Sequence, residues 1–162
     1  MRLFIAINFD PQVKQKILEV QNKLRKIGQG NFTKPENLHL TLAFLGEVAP
    51  DRMEAVKQAM KQLPVVPMAL TFDRVGNFQR NGGIWWIGLS ENPELLKLQE
   101  KLRGLLTAAG FKLETRRFSP HITLAREVSL SSNPDQKNLL GAPFTAYADT
   151  VSLMLSQRIS GR

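Results

Sequence analysis

Both histidines of the chain stand in the same four-residue pattern. His39 begins His-Leu-Thr-Leu and His121 begins His-Ile-Thr-Leu, and each run has the apolar, β-branched composition of a strand. Because residues two apart in a strand face the same side, His39 would lie beside Thr41, and His121 beside Thr123. The two motifs therefore predict two imidazole–hydroxyl pairs, each on the polar face of a strand.

Two imidazoles and two hydroxyls suit a reaction that needs a base on one side and an acid on the other. Phosphodiester cleavage is such a reaction, because one neutral histidine can take a proton from the attacking oxygen while an imidazolium protonates the leaving oxygen. Threonine hydroxyls can donate hydrogen bonds to the phosphate oxygens as negative charge builds there. The residues alone do not assign the two roles. The alternative is a structural histidine at the edge of a core, which the second copy of the motif disfavours.

Arg126 is the predicted phosphate clamp, because a guanidinium forks onto phosphate oxygens. It follows His121 by an odd number of residues, so a regular strand would place the two on opposite faces. A bulge or the strand end must intervene, and a surface arginine is the alternative. Three other cations near the motifs could steer a phosphate chain or form a solvated face: Lys34, Arg116 and Arg117.

The chain lacks the residue patterns that a zinc site or a serine nucleophile would require. The chain has no cysteine, and no His-Glu-x-x-His spacing occurs, so a zinc site would have to recruit carboxylates from elsewhere. No Gly-x-Ser-x-Gly run is present for a serine nucleophile. We therefore expect no metal and no cofactor. Three aromatic residues near the middle of the chain are predicted to serve core packing rather than base stacking: Phe78, Trp85 and Trp86.

The composition is that of one globular domain with an anionic partner. The chain has 162 residues, 43% of them hydrophobic, and 22 Lys and Arg against 14 Asp and Glu give a net charge of +8. Nucleic acid is the first candidate partner for such a basic surface. No apolar run is long enough to span a membrane, and the N-terminal run "MRLFIAINFD" is predicted to be a strand rather than a leader. We expect a cytoplasmic monomer with no obligate protein partner.

The sequence also contains an internal repeat, in which corresponding residues lie 82 positions apart. Pro11 and Pro93 open helical patterns, and Gly28 and Gly110 are predicted to close them as C-caps. Between them, apolar residues repeat every three or four positions: Val13, Ile17, Val20, Leu24 and Ile27, then Leu95, Leu98, Leu102, Leu105 and Ala109. A strand precedes each helix ("RLFIAIN", "IWWIGL"), and a loop and the histidine strand follow it.

Each half is completed by a second helix and a third strand. The segment "DRMEAVKQAMKQL" predicts the helix and "MALTFDRVGNF" the strand, and a weaker helix near 133–140 and the strand "TVSLML" match them in the second half. The run "QRNGG" at 79–83 predicts the turn between copies. We expect an α+β fold with two lobes related by a pseudo-two-fold, whose antiparallel sheets line a central cleft. The whole of 1–162 would form one bilobed domain, with repeats of about 1–80 and 81–162.

Three stretches, "MRLFIAI", "PENLHLTLAFLGEV" and "FSPHITLAR", resemble the 2H phosphoesterase superfamily and its RNA 2',3'-cyclic phosphodiesterases, also called 2'-5' RNA ligases. The resemblance implies metal-independent hydrolysis of an RNA-terminal 2',3'-cyclic phosphate to a 2'-phosphomonoester, with reverse 2'-5' ligation. It implies that His39 is the proton donor and His121 the proton acceptor, that Thr41 and Thr123 hold the phosphate, and that Arg126 is a basic position of the second motif.

Two other functions fit the same residues: an RNA-end-binding module without turnover, and a phosphodiesterase of small cyclic nucleotides. The chain also departs from the family pattern. Members usually continue past the segment "SLMLSQ" into a further short strand, whereas this chain reads "RISGR" there, and Met154 stands where tyrosine is frequent. We expect the lobe that contains this segment to lack an edge strand.

Overall fold

The computed structural model describes residues 1–78, 83–113, 118–131, 134 and 136–156. Strands and α-helices follow one another as β1 (Arg2–Ile7), α1 (Pro11–Ile27), β2 (Gly28–Phe32), β3 (Leu40–Glu47), α2 (Met53–Lys61), β4 (Met68–Phe78), β5 (Ile84–Leu89), α3 (Pro93–Ala108), β6 (His121–Leu130), α4 (Gln136–Leu140), β7 (Phe144–Ala148) and β8 (Ser152–Ser156). No helix among these residues is long and apolar enough to cross a membrane.

The two long helices begin as the sequence predicts. The side chain of Asp10 accepts a hydrogen bond from the backbone N–H of Val13 (2.9 Å) at the start of α1, and Asn92 accepts one from Leu95 (3.1 Å) at the start of α3. Each cap residue is followed by a proline, which needs no partner for an N–H there. The capped starts fix where the buried stripe of each helix begins.

The predicted C-caps behave differently. Gly110 has a φ of +96°, and the N–H of the next residue, Phe111, reaches back to the Leu106 carbonyl (3.0 Å), which closes α3. Gly28 is extended, with a φ of −161°, and α1 passes directly into β2 there. Gly28 therefore occupies the C-cap position as predicted, although with extended backbone, and the prediction of a loop directly after α1 is wrong. The segment pairs with β6 instead, and a pairing partner that distant in sequence leaves no local signal.

Two antiparallel sheets confirm the predicted α+β class. One has the order β3-β1-β8, and the other β2-β6-β5-β4-β7. The third strand of each half joins the sheet of the other half: β4 pairs with β5, and β8 pairs with β1. Each sheet is therefore built from both halves of the sequence, a strand exchange that the repeat itself does not predict.

The helices are exchanged in the same way. Helix α1 directly follows β1 but contacts β6 and β7 of the larger sheet, whereas α3 follows β5 but contacts β3 of the smaller one. Their buried stripes, which include Ile17, Leu24, Leu102 and Leu106, join the strand interiors in one core cluster. The strands that carry the histidine motifs, β3 and β6, contact each other. We call these two strands the motif strands.

The predictions for the end of the second half and for the turn between the repeats are confirmed only in part. The second-half helix is confirmed over Gln136–Leu140, and the strand "TVSLML" over Ser152–Ser156. Strand β7 was not anticipated; it adds an edge to the larger sheet by pairing with β4. Of the predicted turn at 79–83 only Gly83 is described, and the residues after Ser156 lie outside the described ranges.

Candidate active site

The motif strands have the predicted two-faced pattern. Leu40 and Leu42 on β3 are buried, as are Ile122 and Leu124 on β6. The residues that alternate with them are all partly exposed: His39, Thr41, His121 and Thr123. The apolar side chains pack into the core, and this fixes the faces on which the imidazoles and hydroxyls lie.

His39 stands just before β3 and stacks on an aromatic ring of the neighbouring strand. Its ring centroid lies 4.8 Å from that of Phe4, with the ring planes 25° apart. Its Nδ1 is buried and has no hydrogen-bond partner among the described residues. Burial, and then the nearby charge of Lys14 on α1, lower the pKa of His39. The surroundings therefore favour the neutral ring and make the imidazolium a stronger acid.

His121 is held in a different way. Its Nδ1 donates to the backbone carbonyl of Ser119 at 2.7 Å, and because a carbonyl only accepts, the proton sits on Nδ1. The neutral ring then has its lone pair on Nε2. Burial lowers the pKa of His121, the Ser119 hydrogen bond raises it, and the charge of Arg126 lowers it. Phe78 meets the ring edge-on at 5.6 Å.

A bulge brings Arg126 within reach of His121. On β5, Trp85 lies opposite Ala125 and the next residue, Trp86, lies opposite Thr123, so Leu124 is an extra residue on β6. The extra residue reverses the side on which later residues point. The expected bulge is therefore present between His121 and Arg126. Arg126 is exposed, and its positive charge lowers the pKa of His121.

A second irregularity follows directly. Gln29 on β2 lies opposite Ser129 and Asn31 lies opposite Arg126, so two steps along β2 correspond to three along β6. Between them, Glu127 has a φ of +54°, which residues other than glycine rarely adopt. The amide of Asn31 donates to the Glu127 carboxylate at 2.8 Å. Arg126 therefore stands between two distortions of one strand, with its acidic neighbour engaged elsewhere.

Four other polar side chains near the two histidines have no ion pair or hydrogen bond among the described residues. Within the described ranges, neither Lys14 nor Arg126 forms an ion pair, and the hydroxyls of Thr41 and Thr123 make no hydrogen bond. Lys14 was missed from the sequence because nothing in its spacing relates a helix residue to a histidine of a later strand. Lys34 is exposed before a short 3-10 helix, and Arg116 and Arg117 lie outside the described residues.

The aromatic residues divide between core and site. Trp85 is buried in the core, as predicted. Trp86 packs against both Phe78 and His121, with centroids 5.4 and 6.2 Å away, so for these two residues the core-packing prediction is incomplete. The Trp86 ring lies against Gly76, where an added Cβ would stand 2.5 Å from its Cη2 and Cζ2 atoms. Glycine at 76 thus makes room for the ring beside His121.

Gly76→Ala is expected to lower the free energy of unfolding by about 1–3 kcal/mol, because the methyl group must displace Trp86. Urea denaturation measures the free energy of unfolding. The kcat/KM for phosphodiester cleavage should also fall, because the displaced Trp86 ring moves against His121. Gly104→Ala on α3 is the matched control, since a Cβ there meets nothing within 4 Å and should be neutral or stabilising. Equal stabilities of the two variants would contradict the packing role of Gly76.

In the described part of the chain, no three His, Cys, Asp or Glu side chains come close enough together to hold a metal ion. Each histidine instead has a threonine two residues further along the chain and a cation whose charge acts on it, Lys14 at His39 and Arg126 at His121. Such groups suit an anion with exchangeable protons nearby.

Comparison with known proteins agrees with this chemistry. The chain matches the family model of LigT-like phosphoesterases over residues 7–86 and again over 87–162. An RNA 2',3'-cyclic phosphodiesterase of Thermotoga maritima is 37% identical over 131 residues, covering 78% of this chain and 70% of that protein. One from Archaeoglobus fulgidus is 31% identical over 128 residues, covering 78% and 72%.

The structural comparison extends over nearly the whole chain. The crystal structure of Escherichia coli LigT complexed with 3'-AMP is similar with a TM-score of 0.79 and 29% sequence identity, over 99% of this chain and 91% of that one. Both the arrangement of elements and the sequence are thus shared. The chain belongs to the LigT-like phosphoesterase family, an enzyme family, as its paired His-x-Thr-Leu motifs predict.

Proposed function

We propose that the protein hydrolyses the 2',3'-cyclic phosphate at an RNA end to a 2'-phosphomonoester, without a metal ion. The observation that carries the proposal is the unequal support of its two histidines. His121 has an acceptor for its Nδ1–H, whereas the Nδ1 of His39 is buried without one in the described structure. The relatives above are named RNA 2',3'-cyclic phosphodiesterases, and the positive charge of the chain suits an RNA substrate.

His121 is the base of the proposed reaction. With the Nδ1 proton held by Ser119, its Nε2 lone pair takes a proton from the attacking water. The Ser119 carbonyl also stabilises the imidazolium that forms, since it remains bonded to Nδ1 throughout.

His39 is the acid. Its imidazolium donates a proton to the 3' oxygen as the bond from phosphorus to that oxygen breaks. Because burial and Lys14 lower the pKa of His39, the proton is released more readily than from an unperturbed histidine. The products are a 2'-phosphomonoester and a 3'-hydroxyl. Proton exchange with solvent then returns both rings to their starting states.

The phosphate would be held by side chains that have no hydrogen-bond or ion-pair partner among the described residues. The hydroxyls of Thr41 and Thr123 donate to its non-bridging oxygens, and Arg126 balances the developing charge from the His121 side. A 5'-hydroxyl RNA end in place of water would give a 2'-5' linkage by the same proton transfers. We place the reaction in the cytoplasm, carried out by a monomer of one bilobed domain without a protein partner.

The direct test is hydrolysis of a short oligoribonucleotide ending in 2',3'-cyclic phosphate, with EDTA present and the product isomer identified. Turnover to a 2'-phosphate supports the proposal. A 3'-phosphate product would exclude the assignment of the leaving oxygen, and loss of activity with EDTA would exclude a metal-free reaction. Folded protein that binds the RNA without turnover would favour the binding module, and preference for a cyclic mononucleotide the smaller substrate.

The pH dependence of kcat/KM tests the two roles separately. We expect a bell-shaped profile displaced to the acidic side of that for two unperturbed histidines, because the pKa of each is lowered. The acidic limb follows the base and the alkaline limb the acid. Lys14→Met removes a positive charge near His39, raises the pKa of that ring and should widen the bell. Arg126→Met raises the pKa of His121 and should narrow it.

The width of the bell is the useful quantity, because weaker phosphate binding lowers both limbs equally and leaves the width unchanged. Lys57→Met, at an exposed lysine of α2, is the control and should not alter it. A narrower bell for Lys14→Met together with a wider one for Arg126→Met would reverse the assignment of acid and base.

A further inference from the structure

Two helix glutamines contact the motif strands at equivalent positions. Gln21 on α1 donates from Nε2 to the backbone carbonyls of Leu124 (3.0 Å) and Thr33 (2.7 Å). Gln99 on α3 donates from Nε2 to the carbonyl of Leu42 at 3.2 Å. Leu42 and Leu124 are each the last residue of a His-x-Thr-Leu motif. The same carbonyl of each motif thus receives a side-chain amide.

These carbonyls stand where both motif strands are distorted. Leu124 is the extra residue of the bulge on β6, and Leu42 is the extra residue on β3, because Ile5 lies opposite Ala43 while Ala6 lies opposite Thr41. A bulge interrupts the hydrogen-bond ladder and re-aims the side chains on either side of it. In each motif those side chains include the preceding threonine.

The two contacts cross between the halves of the sequence. Helix α1 belongs to the first half and binds the motif strand of the second, whereas α3 belongs to the second half and binds the motif strand of the first. The glutamines are not related by the 82-residue offset. Each helix therefore supplies its glutamine from a different turn to reach the same carbonyl.

The burial of Gln21 makes the contact specific. With 1% of its surface exposed, it is the one polar side chain in the described ranges that is fully buried. An apolar residue at this position would fill a core stripe equally well, but it would leave the Thr33 carbonyl without this donor. Gln99 is half-buried and contacts β3, which is the edge strand of the smaller sheet in the part of the chain that the structure describes.

We propose that Gln21 and Gln99 are positioning residues that hold the two bulges, and with them the two His-Thr pairs, in the relative placement that catalysis requires. Acid and base must act on opposite sides of one phosphorus atom, so a displacement of about 1 Å between the motif strands costs on the order of 100-fold in rate. The inference rests on the proposed function for its kinetic consequence, but not for its structural one.

The test uses Gln21→Leu and Gln99→Leu, with Gln15→Leu as the control at an exposed position of α1. Because the chain has only two histidines, an NMR spectrum that connects imidazole nitrogens to ring protons reports on each one separately. Gln21→Leu should move the signals of His121 and spare those of His39, and Gln99→Leu should do the reverse. Each variant should lower kcat by about 10–100-fold, with KM changed less than about threefold.

Gln15→Leu should change neither the spectra nor the kinetics. If both histidines respond alike to either variant, or if neither responds in folded protein, the positioning role is overturned. Gln99→Leu keeps the test decisive should Gln21→Leu fail to fold, because Gln99 is only half-buried. Wild-type protein that does not turn over the cyclic phosphate refutes the proposed function, while the crossed pattern in the spectra still decides the inference.

Discussion

Replacement of either histidine by alanine should lower kcat/KM for a cyclic-phosphate RNA end by about 10²–10⁴-fold. His39→Ala removes the proton that the leaving 3' oxygen requires, and His121→Ala removes the base that activates water. The double variant should lose much less than the product of the two single losses, because the rings act on one transition state. Steady-state kinetics with the oligonucleotide substrate measures all three.

Folding is the control for these variants. The His39 ring stacks on Phe4 and the His121 ring meets Phe78, so alanine leaves some space in both places. His→Gln variants at the same positions refill part of that space and retain hydrogen bonding, and they should be as inactive as the alanine variants. Activity within tenfold of wild type in a folded His→Gln variant would refute acid–base catalysis by that residue.

Thr41→Val and Thr123→Val should each lower kcat by about 10²–10³-fold, as for the loss of one preorganised donor to a developing oxyanion. Valine keeps the β-branched shape that suits a strand, and both hydroxyls are without partners among the described residues, so the change removes a donor and little else. The kinetic constants of both variants, with the temperature of unfolding measured alongside, test this expectation.

Thr41→Ser and Thr123→Ser are the matched controls, because they restore a hydroxyl on a less restricted side chain. We expect them to recover most of the lost rate. A valine variant that keeps the wild-type rate would remove that threonine from the proposed phosphate site. A serine variant as slow as its valine counterpart would show that the hydroxyl acts only when the methyl group on the same carbon restricts its position.

Local sequence patterns predicted the parts of the site that depend on local geometry. Alternation along a strand predicted the shared face of His39 and Thr41, and the odd spacing from His121 indicated that a bulge or the strand end must intervene if Arg126 is to share the face of that histidine. Asp10 and Asn92 were not singled out as caps, although the prolines after them marked the helix starts. Residues that reach the site from other elements, such as Lys14 and Phe4, were not identified.

The sequence by itself determined the duplicated motifs, the periodicity of the two long helices and the resemblance to an enzyme family, because each of these is carried by spacing along the chain. Only the tertiary structure decided which sheet each third strand joins, how the ring nitrogens of His39 and His121 are supported, and which glutamine reaches each bulge. The physical reason is that these features depend on hydrogen bonds and ring contacts between residues distant in sequence. An internal repeat is compatible with two arrangements, one in which each half keeps its strands in its own sheet and one in which the halves exchange strands. Only the packing of the whole core selects between these arrangements.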